Sequence, residues 1–344
     1  MARTELAPVT QWITAAALQH GDGLPAHVMA RLGLGRRAAL ALLRRLAAMQ
    51  WLQIDGTSRR RHYGAGPLRQ GVQRYALAGL QEDQAWRRDF APLFALPAHV
   101  QRMARHAFTE LLNNAVDHSG GSQVTVSMRQ TPLQLQLLVS DDGCGLFQRI
   151  ERRFAIHEPA LAMLELSKGK LTSDPARHSG QGLFFTSRLA DVFDIHANAA
   201  AFQSRSWERH AWRSSRPATH HGTSVYVAIA IDTARTLDTV LRAHHGVAGH
   251  GLARTTVPLR LLAGTDGVLA SRAEARRAAA RLAQFEHAEI NFDGVTDVGH
   301  GFADELFRVF SGDHPGLELQ PTGMSPAVQA MVTGVRLAAP PPPA

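Results

Sequence analysis

The sequence predicts a multidomain α/β protein, and three observations support that prediction. The chain has 344 residues, enough for two or three domains of roughly 100–200 residues each. From about residue 85 to residue 339, helix-like and strand-like apolar patterns alternate, which is typical of sheets covered by helices. The first 65 residues instead predict short helices and a hairpin, and they are strongly basic. Their nine arginines and three acidic residues give +6 of the chain's net charge of +8.

The composition indicates the class of protein and its expected location. Apolar residues make up 45% of the chain and charged residues 19%, as in ordinary globular domains. Apolar runs such as Val225–Ile231 are far shorter than the ~20 residues that cross a bilayer, and the chain does not open like a secretory signal. We therefore expect a cytoplasmic protein with no membrane partner. The single cysteine, Cys144, excludes an internal disulfide and a multi-cysteine zinc site.

The basic segment predicts three helices and a hairpin. The helices are expected at Val9–His20, Pro25–Leu32 and Arg36–Gln50, each bounded by glycine or proline. Trp51–Ile54 alternates as a strand, Asp55-Gly56 predicts a tight turn, and Arg59–Tyr63 returns. This order over residues 1–65 resembles a winged helix-turn-helix.

The resemblance implies a DNA partner for the basic segment. The third helix of such a domain enters the major groove and its wing touches the backbone. Arg36 and Arg37 would then lie near base edges, and Arg59, Arg60 and Arg61 near phosphates. Two alternatives stay open: the arginines reflect a GC-rich genome, or the domain docks a protein instead of DNA.

The central segment predicts a helical region over residues 85–119, with Pro97 opening its last helix. Strands are expected at Gln123–Met128, Leu133–Ser140, Asp191–Ala197 and Ser224–Ile231. A less regular stretch precedes Gly180, and a helix follows Gly182.

The helix that Pro97 opens carries a polar face. Glu110, Asn114 and Asp117 are spaced i, i+4 and i+7 and so share one side of the helix. An asparagine carbonyl suits Mg²⁺, which also takes phosphate oxygens and waters. A carboxylate one turn earlier could accept a proton from an attacking hydroxyl or water.

Three glycine-containing motifs complete the candidate site. Asp141-Asp142-Gly143-Cys144-Gly145 ends a strand, where glycines allow close approach of a flat ligand and a buried carboxylate can accept a hydrogen bond from an exocyclic amine. Gly180-Gln181-Gly182 leads into a helix at Leu183, a geometry that places bare N–H groups against phosphates. Gly222-Thr223 opens the last strand of the segment.

In order and spacing these motifs resemble the GHKL superfamily of histidine kinases, anti-sigma-factor kinases, gyrase B and heat-shock chaperones. The resemblance covers residues 66–232 and implies a Bergerat α/β sandwich that binds ATP and Mg²⁺ under a lid at Phe147–Ser179. By this resemblance Glu110 is the catalytic base, Asn114 holds Mg²⁺, Asp141 reads the adenine amine, and Thr223 contacts the adenine side. The remaining matched positions are Asp117, His118, Gly143, Gly145, Gly180, Gln181, Gly182 and Leu183.

The segment departs from a sensor histidine kinase. Nothing upstream of Glu110 resembles a phosphoacceptor helix, and His106 lies on the same helix as Glu110. The lid also carries Lys168 and Lys170. These lysines either meet the γ-phosphate or belong to a solvated loop, and the sequence leaves both interpretations open. The histidine pairs at 220–221 and 244–245 lack a third ligand at a plausible spacing for a metal.

Residues 252–339 predict a third, small α/β domain, after a linker at about 233–251 and before a proline-rich tail at 340–344. The expected elements are the strands Val257–Leu262, Ala288–Phe292 and Leu317–Gln320 and the helices Ser271–Phe285, Gly301–Phe310 and Pro326–Val335. The run Glu289–Leu306 resembles a STAS-like domain, which implies a protein partner. Gly299-His300-Gly301 stands where anti-sigma-factor antagonists carry a phosphorylated serine, so the usual phosphorylation switch is not expected.

The domain order resembles bacterial multidomain ATP-binding regulators, and it leaves three functions open. The first is a transcriptional or signalling regulator that couples slow ATP hydrolysis to DNA binding. The alternative is an anti-sigma-type serine/threonine kinase that acts by partner switching. A third version binds ATP without hydrolysing it. The resemblance also implies a two-fold homodimer.

Overall fold

The structure is a computed structural model that describes residues 5–57, 60–172, 179–208, 212–217, 221–246 and 251–337. The predicted phosphate contact of Arg59 and the proline-rich tail lie outside these ranges, and so do His220 and parts of the predicted lid and linker. No helix among the described residues is both long enough and apolar enough to cross a membrane.

Helices and strands alternate along most of the described chain. The helices are α1 Leu6–His20, α2 Leu24–Leu32, α3 Arg36–Ala48, α4 Glu82–Ala85, α5 Ala98–His118, α6 Leu146–Phe154, α7 Pro159–Lys168, α8 Gly182–Leu189, α9 Leu237–His244, α10 Arg260–Ala263, α11 Arg272–Ala279, α12 His300–Asp304, α13 Ser311–Asp313 and α14 Pro326–Leu337. The strands are β1 Leu52–Gly56, β2 Arg61–Ala65, β3 Arg69–Ala76, β4 Gln123–Gln130, β5 Gln134–Asp141, β6 Val192–Ala197, β7 Ala200–Arg205, β8 Trp212–Ser214, β9 Thr223–Ala230, β10 Arg254–Pro258, β11 Val268–Leu269, β12 His287–Asn291, β13 Asp297–Val298 and β14 Glu318–Thr322.

The chain divides into two compact units. The first comprises Met1–Gly143 and Ser224–Ala234, and the second comprises Cys144–Thr223 and Arg235–Ala344. These units do not follow the predicted domain boundaries, because the second unit joins the predicted lid to the C-terminal segment.

The N-terminal part of the first unit has its own core. Apolar residues of α1, α2 and α3 are buried against Trp51, Leu52 and Tyr63 of the hairpin. The hairpin pairs β1 with β2 in antiparallel register, with Ile54 opposite Tyr63. The predicted sequence of three helices and a hairpin is therefore present, with ends shifted by a few residues.

The rest of the first unit is an antiparallel sheet covered by α5. Within it β3 pairs with β4, β4 with β5, and β5 with β9. Alternate residues of β4 and β5 are buried, as expected for a sheet with one covered face. The apolar side of α5, including Phe108, Leu111 and Leu112, is buried as well. The opposite, polar side of α5 is the one that the sequence singled out.

The described part of the second unit contains three sets of paired strands. Strand β7 pairs antiparallel with β6 and with β8. Strand β12 lies between β10 and β14 in parallel pairings, with α10 to α13 in the connections. The short strands β11 and β13 pair in parallel. The helix α7 contacts β10, so the predicted lid and the C-terminal segment share one packed body.

Several predicted elements are corrected. The lid, expected to be irregular, contains α6 and α7. Helix α7 begins at Pro159 and ends at Lys168, and the following Gly169 has the left-handed conformation. The predicted linker contains α9, whose first turn is capped by Thr236 and Thr239. The strand predicted at Val257–Leu262 is a strand only to Pro258, after which the chain turns into α10. The helix predicted at Ser271–Phe285 ends at Ala279.

Strands β3, β7, β8, β11 and β13 were not predicted from the sequence. Only Gly71 of β3 is fully buried, so this strand has no apolar alternation to reveal it. Its partner β4 lies about 50 residues further along the chain, and local patterns carry no information on such long-range pairing.

Candidate functional site

The helix α5 presents the predicted polar face as a half-buried surface. Glu110, Asn114 and His118 are half-buried and Asp117 is exposed. The Asn114 Nδ2 atom is buried and has no hydrogen-bond partner. An unpartnered buried amide is costly, so this position suits a polar ligand that the protein itself does not supply.

The Asn114 amide could serve as a ligand of Mg²⁺. A half-turn of the side chain exchanges its nitrogen for its oxygen, and an amide oxygen is a hard ligand of the kind Mg²⁺ takes. The orphaned amide therefore fits the predicted metal role of this residue.

The end of β5 is held against the end of α5 by close backbone contact. The Asp141 side chain is buried, 6% exposed, and its Oδ1 accepts a hydrogen bond from Gly143 N–H at 2.9 Å. A Cβ added at Gly143 would lie 2.2 Å from the Ser119 carbonyl oxygen. Glycine is thus required at position 143 for the close packing of the strand end against Ser119. The hydrogen bond from Gly143 N–H then fixes the buried carboxylate of Asp141.

Asp142 ties the same strand end to the start of β4. Its carboxylate accepts hydrogen bonds from Ser122 N–H at 2.7 Å, Ser122 Oγ at 2.6 Å and Gln123 N–H at 2.9 Å. The Ser122 hydroxyl and the two backbone amides lower the pKa of Asp142 to about 2. Asp142 is therefore ionised near neutral pH and acts as a structural clamp beside Asp141.

In the second unit, Asn198 organises the segments around Gly145 and Thr223. Asn198 Nδ2 donates to the Cys144 carbonyl at 2.8 Å, and its Oδ1 accepts from Gly222 N–H at 3.2 Å. Gly145 has φ +89°, and a Cβ there would lie 2.5 Å from Asn198 Nδ2. The Thr223 hydroxyl accepts a hydrogen bond from Leu146 N–H at 2.9 Å. Asn198 was not predicted from the sequence, because β7 and therefore the turn between β6 and β7 that carries Asn198 were not predicted either.

Gly180-Gln181-Gly182 opens α8 as predicted. Gly180 has φ +69°, and a Cβ there would lie 2.6 Å from the Leu171 carbonyl oxygen. Gln181 precedes the helix and makes no side-chain cap, and the first turn contains no acidic residue. Gln181 and Leu183 are half-buried, so the amino end of the helix is accessible to an anion.

The two lid lysines differ from each other in burial and in partners. Lys168 is 2% exposed and donates to Glu165 Oε1 at 2.7 Å and to the Ala280 carbonyl at 2.8 Å. The prediction that Lys168 meets a phosphate is corrected, because these protein groups already occupy its buried ammonium. Lys170 is more accessible: it donates to the Gln284 carbonyl and lies 4.3 Å from the centre of the Phe285 ring.

The predicted DNA-contacting arginines lie at the surface of the first unit. Arg36 and Arg37 are exposed in the first turn of α3, Arg60 is exposed and Arg61 is half-buried. Two cations at the positive end of a helix dipole are unfavourable, and no acidic residue of that turn compensates for them.

The backbone at the start of α12 is closely packed at Gly299, where the sequence has no phosphoacceptor serine. Gly299 precedes α12, and a Cβ there would lie 3.0 Å from Ala270 Cα. The chain is too close to β11 at this point for a larger residue without a shift. Among the described residues, no group of three or more histidine, cysteine, aspartate or glutamate side chains could hold a metal ion.

Comparison with known families assigns two of the three segments. Residues 99–233 match the family described as histidine kinase-, DNA gyrase B- and HSP90-like ATPase. Residues 276–329 match a STAS-like domain of unknown function. Comparison with curated proteins found no match to the chain. The GHKL and STAS-like assignments are confirmed, whereas the winged helix-turn-helix assignment stays a prediction.

Proposed function

Starting from a chain that contains a histidine kinase-, gyrase B- and HSP90-like ATPase domain and a STAS-like domain, we propose that the protein binds ATP with Mg²⁺ and couples the bound nucleotide to DNA binding. The observation that carries the proposal is the orphaned amide of Asn114 on the polar face of α5, at the position where the ATPase family holds its metal.

Each motif has a defined role in this proposal. Asn114 is a ligand of Mg²⁺, which supplies positive charge to the phosphate oxygens. Asp141 accepts a hydrogen bond from the adenine amine, and Thr223 lies on the adenine side. The amino end of α8, with Gly180, Gln181 and Gly182, binds phosphate through backbone N–H groups. By resemblance to the ATPase family, the further proposed nucleotide-binding residues are Asp117, His118, Gly143, Gly145, Lys170 and Leu183.

Glu110 is the proposed general base. It lies one helical turn before Asn114 on the same face of α5 and is half-buried. A carboxylate in that position can accept the proton of a water molecule that attacks the terminal phosphate. Glu110→Gln should keep ATP affinity and lose phosphate release, whereas turnover that persists in this variant would require another base.

A phosphate-release assay separates hydrolysis from protein phosphorylation. With γ-labelled ATP, the regulator releases labelled phosphate and leaves protein unlabelled. A serine/threonine kinase would instead label a partner protein. Bound ATP that is never consumed would indicate a nucleotide-gated scaffold.

The proposed DNA contact lies on α3 and the hairpin. Exposed Arg36 and Arg37 occupy a helix end where cations are unfavourable, and a polyanion would offset that cost. Arg60 and Arg61 in the hairpin would contact phosphates. Arg59, which lies outside the described residues, stays a sequence prediction for the same role. The test compares DNA affinity at fixed salt with ATP, with ADP and without nucleotide. A regulator gives different affinities in these states, whereas equal affinities would remove the coupling from the proposal.

The STAS-like domain is the proposed contact for a protein partner, and a homodimer is the proposed assembly. Both rest on the family resemblance. Mass measurement of the purified protein with and without ATP tests the dimer.

A further inference from the structure

A cavity of about 380 Å³ lies in the second unit, between the glycine-rich loop before α8 and the C-terminal segment. Its polar lining residues are Lys170, Thr172, Ser179, Gln181, Arg281 and Gln284. Two of these carry a positive charge, and none of the described lining residues is a carboxylate. The cavity is therefore suited to an anionic group.

Arg281 of the C-terminal segment lines this cavity. It follows α11 with φ +63°, a left-handed conformation that favours glycine over arginine. Strained backbone conformations of this kind occur often at functional sites. The Arg281 guanidinium lies 5.1 Å from the centre of the Phe154 ring, and its Nη1 lies 3.4 Å from Glu165 Oε2. These contacts hold the guanidinium at the cavity wall.

Lys170 lines the cavity from the lid. Its ammonium donates to the Gln284 carbonyl beside the Phe285 ring. Burial lowers the pKa of Lys170, and nearby Glu286 opposes this shift. An ammonium with one backbone acceptor retains further donors for a ligand.

The third contribution is the amino end of α8. Gln181 lines the cavity and immediately precedes this helix. The N–H groups of a first helical turn have no partner within the helix and carry the positive end of its dipole. A helix end, an arginine and a lysine thus converge on one cavity from three segments of the chain.

We propose that this cavity binds a phosphate group and that Arg281 of the C-terminal segment is one of its ligands. The inference builds on the proposed nucleotide function, since Gly180-Gln181-Gly182 is also the proposed phosphate loop. The phosphate is then the terminal phosphate of ATP, and the STAS-like end of the chain contacts the group that distinguishes ATP from ADP. A free phosphate ion has the same chemistry, and the experiment separates the two sources.

The test measures the affinities of the full-length protein for ATP·Mg²⁺, ADP·Mg²⁺ and inorganic phosphate. Arg281→Gly is the informative variant, because glycine suits φ +63° and Glu165 keeps its buried partner Lys168. Arg277→Ala is the matched control. Arg277 lies one turn earlier, is 42% exposed and has its acidic partner Glu158 at 3.9 Å, outside the cavity lining.

If the phosphate group in the cavity belongs to ATP, Arg281→Gly weakens ATP binding roughly tenfold, the size expected for the loss of a charged hydrogen bond. ADP affinity then stays nearly constant, and Arg277→Ala resembles the unchanged protein. With free phosphate as the source, Arg281→Gly weakens phosphate binding and leaves the ratio of ATP to ADP affinity alone. If neither phosphate affinity nor that ratio changes, the inference is overturned.

The same data distinguish this inference from the proposed function. If the unchanged protein binds no ATP but binds phosphate through Arg281, the nucleotide proposal fails and the cavity assignment stands. If ATP binds and Arg281→Gly has no selective effect, the nucleotide proposal stands and the cavity assignment fails. Thermal unfolding of each variant checks that a loss of binding is not a loss of folding.

Discussion

The Lys168 ammonium lies 2.7 Å from the Glu165 carboxylate inside the second unit, where the two side chains are 2% and 5% exposed. Burial lowers the pKa of Lys168, and the charge of Glu165 opposes this shift. Lys168 also donates to the Ala280 carbonyl, and its own carbonyl accepts a hydrogen bond from Thr255 Oγ1 at 2.9 Å. The last turn of α7 is thus bonded to the C-terminal segment through both the side chain and the backbone of one residue.

Breaking this pair should destabilise the protein. Lys168→Met removes one charge of a buried pair, which costs about 3–5 kcal/mol. We expect the lower end of that range, because Arg281 still faces Glu165 at 3.4 Å. Chemical denaturation measures the change in the free energy of unfolding.

Two further variants test the cause of that loss. Lys168→Met combined with Glu165→Leu should recover part of the stability, since no buried charge then remains unpaired. Arg87→Ala removes a cation that pairs with Asp83 and is 67% exposed, and it should cost less than about 1 kcal/mol. Equal losses for Lys168→Met and Arg87→Ala would show that burial of the pair contributes nothing.

Gly143→Ala should disturb the strand end that carries Asp141. The added methyl would lie 2.2 Å from the Ser119 carbonyl oxygen, so the backbone must shift, at about 1–3 kcal/mol for an overpacked site. Gly334→Ala is the control, because nothing lies within 4 Å of a Cβ there and alanine is favoured over glycine in a helix by roughly 0.5–1 kcal/mol. Thermal unfolding should move in opposite directions for the two variants, and a stabilised Gly143→Ala would contradict the packing described here.

The Asp142 clamp predicts a pH dependence. Its pKa is lowered from 3.8 to about 2 by hydrogen bonds from Ser122 and Gln123. A carboxyl with a depressed pKa in the folded state stabilises the protein above its unfolded pKa, and this contribution is lost as the pH falls through the folded pKa. Asp142→Asn should therefore lower the melting temperature at pH 7, and the difference from the unchanged protein should shrink between pH 4 and pH 2. A difference in melting temperature that is constant with pH would show that the effect of Asp142→Asn comes from the shape of the side chain and not from its charge.

Replacing Arg36 and Arg37 together by alanine should weaken DNA binding. Loss of a base contact costs about 1–3 kcal/mol, and loss of a phosphate contact lowers the salt dependence by about one unit. The matched control replaces Arg102 and Arg105, two exposed arginines of α5, so both variants lose the same charge. Fluorescence anisotropy at several salt concentrations separates the two effects. An equal loss in both double variants would indicate general attraction to DNA without a defined α3 contact.

The sequence predicts the parts of the fold that local signals encode. Pro97 and the periodicity after it locate α5, and Gly180 and Gly182 locate the start of α8. The same logic fails for β3, whose pairing with β4 depends on residues distant in the chain. The candidate site divides in the same way. The spacing of Glu110, Asn114 and Asp117 is visible in the sequence, because one helix carries all three residues.

Tertiary contacts decide the remaining roles. Lys168 and Lys170 look equivalent in the sequence, yet the Ala280 carbonyl lies beside only Lys168. Arg281 attracts no attention in the sequence, since its left-handed backbone and the adjoining cavity exist only in the folded chain. Asn198 likewise becomes informative only through its hydrogen bonds to Cys144 and Gly222.

The most direct test of the central claim is a calorimetric titration with ATP·Mg²⁺ of the unchanged protein, of Asn114→Ala and of Asn113→Ala. Asn113 precedes Asn114 on α5 and is also half-buried, but it lies about 100° away around the helix. We predict micromolar binding by the unchanged protein, near-unchanged binding by Asn113→Ala, and loss of Mg²⁺-dependent binding in Asn114→Ala. Binding that Asn114→Ala leaves intact, or no binding by the unchanged protein, would contradict the assignment of the nucleotide site.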